Sequence, residues 1–195
     1  SGMGAISATL MALLNQGDHM VASADTYGGT YGLLTEEFPR FGISTTMADM
    51  RDPASYEAAI QDNTKLLYIE TLTNPVLKVC DIEAMADVAK RHNLLLLIDN
   101  TFASPWGCKP LDMGVDLVLH STTKYLGGHS DILGGAVVGS KDLIAQIFMR
   151  KVHFGAAPDP HSCYLLERGM RTLDVRMPRI CENAHLLAQR LEGHG

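Results

Sequence analysis

Residues 94–101 read LLLLIDNT, five consecutive branched aliphatic side chains followed by a carboxylate, an amide and a hydroxyl. A run that is apolar at every position has no wet face, which is the signature of a strand buried on both sides, as in a parallel sheet covered by helices. Similar short runs recur on either side of it, at His19–Ser23, Ile43–Met47, Lys65–Glu70, Val115–His120 and Gly135–Val138. Longer amphipathic segments separate or follow them, at about Met3–Leu14, Tyr31–Phe38, Pro53–Ile60, Asp81–His92, Lys141–Lys151, Pro160–Gly169 and Leu173–Leu191. Pro53 suits a first helical turn and Asp81 an N-cap. The alternation predicts an α/β fold, a three-layer and mostly parallel sheet with helices on both faces. Ligands of such sheets gather outside the carboxyl ends of the strands.

Composition narrows the function. The 195 residues are 46% hydrophobic and 19% charged, which suits one compact domain over 1–195 with no repeat or linker. A net charge of -6 without clustered Lys and Arg argues against nucleic acid and for a small-molecule ligand. Cys80, Cys108, Cys163 and Cys181 form no CxxC pair and the histidines no HExxH, so neither a disulfide framework nor a metal is expected. The same cysteine usage suggests a reducing, cytoplasmic setting, and no targeting peptide or stretch long enough to span a bilayer is read. The chain opens on Ser1-Gly2-Met3-Gly4 and closes on Gly193-His194-Gly195, which reads as a piece of a larger polypeptide.

Four strand ends carry chemistry. In VLHSTTKYLGGHSDILGG (118–135) a single cation, Lys124, stands between hydroxyl residues and glycines. It is either a solvated surface lysine or, if shielded, an amine nucleophile of the Schiff-base kind. Asp99, at the end of the 94–101 run, either caps the next turn or, paired with Lys124, serves the ring nitrogen of pyridoxal phosphate, whose aldehyde needs an amine. The glycine-rich helix start at Gly2 and Met3 offers backbone N–H groups to a phosphate, and the Ser121 and Thr123 hydroxyls could complete the cradle. Tyr27 either stacks on a cofactor ring or packs under its loop. Asn74 either donates to the cofactor's phenolic oxygen or only makes the turn before Pro75.

SGMGAIS, DTYGGTYGL, ETLTNP, LLLLIDNTFASP and HSTTKYLGGHSD, in this order over the whole length, resemble the Cys/Met-metabolism family of pyridoxal-phosphate enzymes. That family holds cystathionine gamma-synthases, cystathionine lyases, methionine gamma-lyases and homoserine sulfhydrylases. The resemblance implies the large domain of a fold type I transferase, with an N-terminal arm and a C-terminal domain lying outside this sequence. It implies pyridoxal 5'-phosphate as cofactor, an amino-acid substrate, and a homo-oligomer, a dimer of dimers in the full-length enzyme. Lys124, Tyr27 and Asp99 are the implied catalytic residues. Gly2, Met3, Asn74, Thr101, Ser121 and Thr123 join them in binding the cofactor, and Glu70 occupies a motif position one step further out. Methionine gamma-lyases carry a cysteine two positions after the stacking tyrosine, where this chain has Gly29, which disfavours that activity and leaves the synthase, cystathionine lyase and sulfhydrylase branches open. A cystathionine gamma-synthase or gamma-lyase is the leading expectation, with an O-acyl-homoserine sulfhydrylase or methionine gamma-lyase as the alternative. Two readings from other classes are a non-catalytic binding module of the same fold and a dinucleotide-binding domain. The latter lacks a GxGxxG after the first strand.

Overall fold

The structure, a computed structural model, describes residues 1–194. Six strands form one sheet: β1 (His19–Ser23), β2 (Ser44–Ala48), β3 (Thr64–Glu70), β4 (Leu95–Asp99), β5 (Leu117–Ser121) and β6 (Gly135–Gly139). Their order is β2-β1-β3-β4-β5-β6. The first five run parallel and β6 pairs antiparallel with β5 at the edge. The predicted α/β class and all six strands are therefore present, displaced by a residue or two at their ends. The order reverses beside β1, because β2 lies on one side of it and β3 on the other, and that reversal opens a crevice at the carboxyl end.

Helices cover both faces. On one, α1 (Gly2–Leu13) and α6 (Lys141–Phe154) contribute Ile6, Leu10 and Ile147 to a core with Met20, Leu66, Tyr68, Leu97, Leu117 and Leu119. On the other, α3 (Pro53–Ala58) and α4 (Ile82–Arg91) pack Tyr56, Ile82, Met85 and Val88 against Val21, Leu67, Ile69, Leu96 and Ile98. Each fully buried aliphatic or aromatic side chain contributes roughly 1.5–3 kcal/mol of transfer free energy. The Asp52 and Asp81 side chains cap α3 and α4 through the Ala54 and Ala84 N–H groups. α7 (Pro160–Met170) and α8 (Leu173–Glu192) follow, with few buried residues of their own. No helix among the described residues is long and apolar enough to cross a membrane.

Two stretches depart from the expectation. In place of a regular helix over 31–38, the chain makes a short helix α2 (Gly28–Gly32), a π turn (Leu33–Glu37) and a 3-10 turn (Phe38–Phe41). Gly28, Gly29 and Gly32 weaken the start and Pro39 withholds an N–H, so no single hydrogen-bond spacing is enforced. The short helix α5 (Ser104–Gly107) and the 3-10 turn Pro110–Met113 were not expected, being too brief for any periodicity to register.

Candidate active site

Strand alternation delivers the site. On β3, Leu66 and Tyr68 face α1, so Glu70, two residues on, faces it as well; Leu97 sets the same parity for Asp99, and Leu117 and Leu119 for Ser121. Glu70 and Asp99 are register partners across β3 and β4. Three polar side chains thus end on one face at the carboxyl edge of the sheet. There the start of α1, the β1–α2 loop and the turn after β5 enclose a cleft of about 350 Å³. Its lining includes Gly2, Met3, Tyr27, Asn74, Asp99, Thr101, Ser121, Thr123 and Lys124, every position singled out from the sequence. That volume falls in the range of about 300–1,000 Å³ typical of small-molecule sites.

The α1 end of the cleft suits an anion. Ser1 caps the helix, accepting from the Gly4 N–H at 3.0 Å, while its carbonyl accepts from the Ala5 N–H at 3.1 Å. The Gly2 and Met3 N–H groups have no intrahelical partner, and they carry the positive end of the helix dipole. A Cβ on residue 2 would lie 2.9 Å from both Cβ and Oγ of Ser121, so only glycine lets this helix start so near the end of β5. The Ser121 hydroxyl makes no hydrogen bond among the described residues. The Thr123 hydroxyl does: it donates to the Gly134 carbonyl at 3.3 Å and accepts from the Gly134 N–H at 3.1 Å.

At the opposite side lie the carboxylates. Asp99 Oδ1 accepts from the Thr101 N–H at 2.9 Å, and Thr101 Oγ1 accepts from the Ser121 N–H at 2.7 Å, so Thr101 braces Asp99 against β5. Burial raises the Asp99 pKa, the Thr101 bonds oppose the rise, and no cation pairs with it among the described residues. Glu70 Oε1 accepts from the Thr26 hydroxyl at 2.7 Å and from the Tyr27 N–H at 2.8 Å. Burial pushes the Glu70 carboxyl up to about 7 despite those two bonds.

Lys124 and Tyr27 occupy the mouth. Tyr27 is 46% exposed. Lys124 is exposed and makes no ion pair among the described residues, so of the two readings left open for it this chain by itself does not supply the shield. Its backbone sits in a turn, with the Gly128 N–H on its carbonyl at 2.8 Å. Asn74 lines the cleft beside Leu72, just before a cis bond to Pro75. On its outer side Lys124 also borders a wider, open cleft of about 1240 Å³ that runs toward α8 and holds Arg176 and Arg179.

Distant elements hold the Lys124 turn in place. The Arg176 guanidinium on α8 donates to the carbonyl of Tyr125 at 2.8 Å and to that of Gly169 at 2.8 Å. Gly169 on α7 packs onto the turn so closely that a Cβ there would stand 2.1 Å from the Gly127 carbonyl oxygen. A backbone atom cannot swing aside as a side chain can. Gly169→Ala should therefore destabilise the fold by about 1–3 kcal/mol, the usual cost of overpacking, seen as a lower denaturant midpoint with unchanged m.

An amine and a cationless carboxylate face one cleft beneath a helix N-terminus, and the comparisons agree with what that suggests. The model of the "Cys/Met metabolism PLP-dependent enzyme" family matches residues 1–195. The chain belongs to that family. Its similarity to curated members is high: 48% identity over 195 residues to a cystathionine gamma-lyase of Bacillus subtilis, covering 100% of this chain and 51% of that one. A methionine gamma-lyase of Porphyromonas gingivalis is 44% identical over 197 residues, with 49% of its length covered. The crystal structure of a cystathionine gamma-lyase from Lactobacillus plantarum in complex with L-serine superposes with a TM-score of 0.96 at 46% identity, over 100% of this chain and 51% of that one. The chain spans about half the length of these Cys/Met-metabolism relatives. As a family member it has the fold type I sheet that its motifs implied.

Several lining residues were not foreseen. Ile6, Leu72, Phe102 and Leu133 form the apolar part of the cleft, and Leu133 is 72% exposed at its lip. The available signal was a lone aliphatic pair, Ile132-Leu133, inside GGHSDILGG (127–135), which is otherwise polar residues and glycine.

Proposed function

We propose that residues 1–195 are the cofactor-binding large domain of an enzyme that makes or breaks C–S bonds of sulfur amino acids, by β- or γ-elimination or by γ-replacement. The observation that carries this is the meeting of Lys124 and the cationless carboxylate of Asp99 in one cleft headed by the α1 N-terminus. The residues present fit pyridoxal phosphate. The Gly2 and Met3 N–H groups with the hydroxyls of Ser121 and Thr123 would hold the phosphate, Thr123 by exchanging its bonds to Gly134. Tyr27 would lie on the ring, Asn74 near its phenolic oxygen, Lys124 at its aldehyde, and Asp99, braced by Thr101, at its nitrogen. When bound, the cofactor supplies an electron sink for charge developing on the substrate's α carbon.

The chain's own residues then divide the proton work. Lys124 Nζ takes the α proton and, in γ chemistry, moves a second proton at the β carbon. Asp99 keeps a proton on the heterocyclic nitrogen by stabilising its positive charge. The Tyr27 hydroxyl passes protons to and from the substrate amine or the leaving group. The wide cleft on the far side of Lys124 leaves room for an extended amino-acid substrate, and cover for the exposed lysine would come from elsewhere in a homo-oligomer. A cytoplasmic setting fits this metabolic chemistry. Among sulfur amino acids we favour cystathionine, as product or substrate, because Gly29 stands where methionine gamma-lyases carry cysteine. Assay of the whole protein with cystathionine, with methionine, and with an activated homoserine plus cysteine, identifying the products, tests this. Thiol and keto-acid release or cystathionine synthesis is expected, and no turnover of any of them would overturn it.

A further inference from the structure

The buried carboxylate of Glu70 is left over by the chemistry above, yet it occupies the most connected position in the site. It stands at the end of β3, beside the point where the sheet order reverses, and one oxygen accepts from both the Thr26 hydroxyl and the Tyr27 N–H on the β1–α2 loop. The backbone of Asn74, on the β3–α4 loop, also favours its charged form. A second tie joins the same two loops at their rim, where Lys78 and Asp25 form a half-buried ion pair. Tyr27 also heads α2, its carbonyl accepting from the Tyr31 N–H at 2.8 Å, while its side chain is 46% exposed. From these contacts we propose that Glu70 is a positioning residue, which fixes Tyr27 over the cleft by gripping the backbone of its loop. The inference rests on the cofactor reading only for what Tyr27 is positioned against.

Glu70 is 4% exposed, so its ionisation is felt locally. The titratable groups around it are Asp99 on β4, Tyr68 on its own strand, Tyr56 on α3, Tyr27 in the gripped loop and Lys124 across the cleft, with the Asp25–Lys78 pair at the rim. As a carboxylate, Glu70 accepts charge-assisted bonds, which are about twice as strong as neutral ones. As an acid it keeps only neutral bonds, so the grip on Tyr27 should slacken as pH falls through about 7.

Amide hydrogen exchange, read by mass spectrometry on the whole protein without cofactor and corrected for intrinsic rates, tests this directly. For the wild type, protection of the segment containing Thr26 and Tyr27 should fall roughly three- to tenfold from pH 8 to pH 6. Glu70→Gln keeps a carbonyl acceptor but cannot titrate, so its protection should be intermediate and pH-independent. Glu70→Ala should lose most of the protection and bind pyridoxal phosphate about tenfold more weakly, while Glu70→Gln stays within about threefold of wild type. If Glu70→Ala fails to fold, the pH response of wild type against Glu70→Gln still decides. Identical protection at both pH values in the two proteins, or a Glu70→Ala protein that holds Tyr27 as wild type does, would overturn the proposal. Failure of the wild type to bind pyridoxal phosphate would instead sink the cofactor reading and leave the exchange result standing.

Discussion

Lys124→Ala in the whole protein should abolish the absorbance band near the visible that marks covalently held pyridoxal phosphate, let the cofactor dialyse away, and lower turnover by at least roughly 10³-fold. The size follows from asking one amine to do two jobs. It anchors the aldehyde and it carries the proton, and no neighbouring group can substitute. The other lining residues near it, Thr123, Phe102 and Leu133, offer no second amine. A wild-type spectrum together with wild-type turnover in the variant would refute the assignment outright. Loss of turnover with an intact band would leave Lys124 as a proton carrier and move the anchoring to another lysine. The Gly169→Ala substitution is a useful companion, since it perturbs the turn that holds Lys124 from the outside without touching the amine.

Asp99→Asn should move stability and activity in opposite directions. In the protein without cofactor, burial holds the Asp99 pKa above its ordinary 3.8. The folded state therefore binds the proton more tightly than the unfolded chain does. Stability falls as pH rises from about 3.8 through the raised folded value, and above it the full cost of a buried, cationless charge is present. Asn keeps an acceptor for the Thr101 N–H and removes that cost, so the melting temperature without cofactor should rise at neutral pH and match wild type below about pH 3.8. With cofactor bound, the same change removes the charge opposite the protonated ring nitrogen, and kcat should drop by about 10²–10³-fold. A variant that is less stable at neutral pH would mean that Asp99 already has a favourable partner, and equal kcat would detach it from the ring.

Much of this was legible before any coordinates. The five aliphatic residues before Asp99 and the apolar run before Ser121 announce buried strands, but the face on which each ends is set by the packed sheet, where Tyr68, Leu97 and Leu119 put Glu70, Asp99 and Ser121 on the same side. The motifs supplied the other positions, and all of them reach one cleft. What the sequence hid depends on adjacency between distant segments. The Glu70 contact with Thr26 spans 44 residues and exists only because β1 and β3 are neighbours, a fact of strand order that no local pattern encodes. The Arg176 contact with Tyr125 spans 51 residues and depends in the same way on where α8 crosses the Lys124 turn. The helix expected over 31–38 was misjudged because its glycines and Pro39 allow several hydrogen-bond spacings. The exposure of Lys124 could not be read from its neighbours, because hydroxyls and glycines permit close packing without enforcing it.

Reduction of the cofactor-loaded whole protein with borohydride, followed by peptide mapping, is the most direct measurement. A pyridoxyl mass on Lys124 alone is expected, with the Asp99→Asn protein labelled at the same position but turning over slowly. Label on another lysine, such as Lys78 or Lys141, or no label at all, would contradict the pairing of that amine and that carboxylate around one ring.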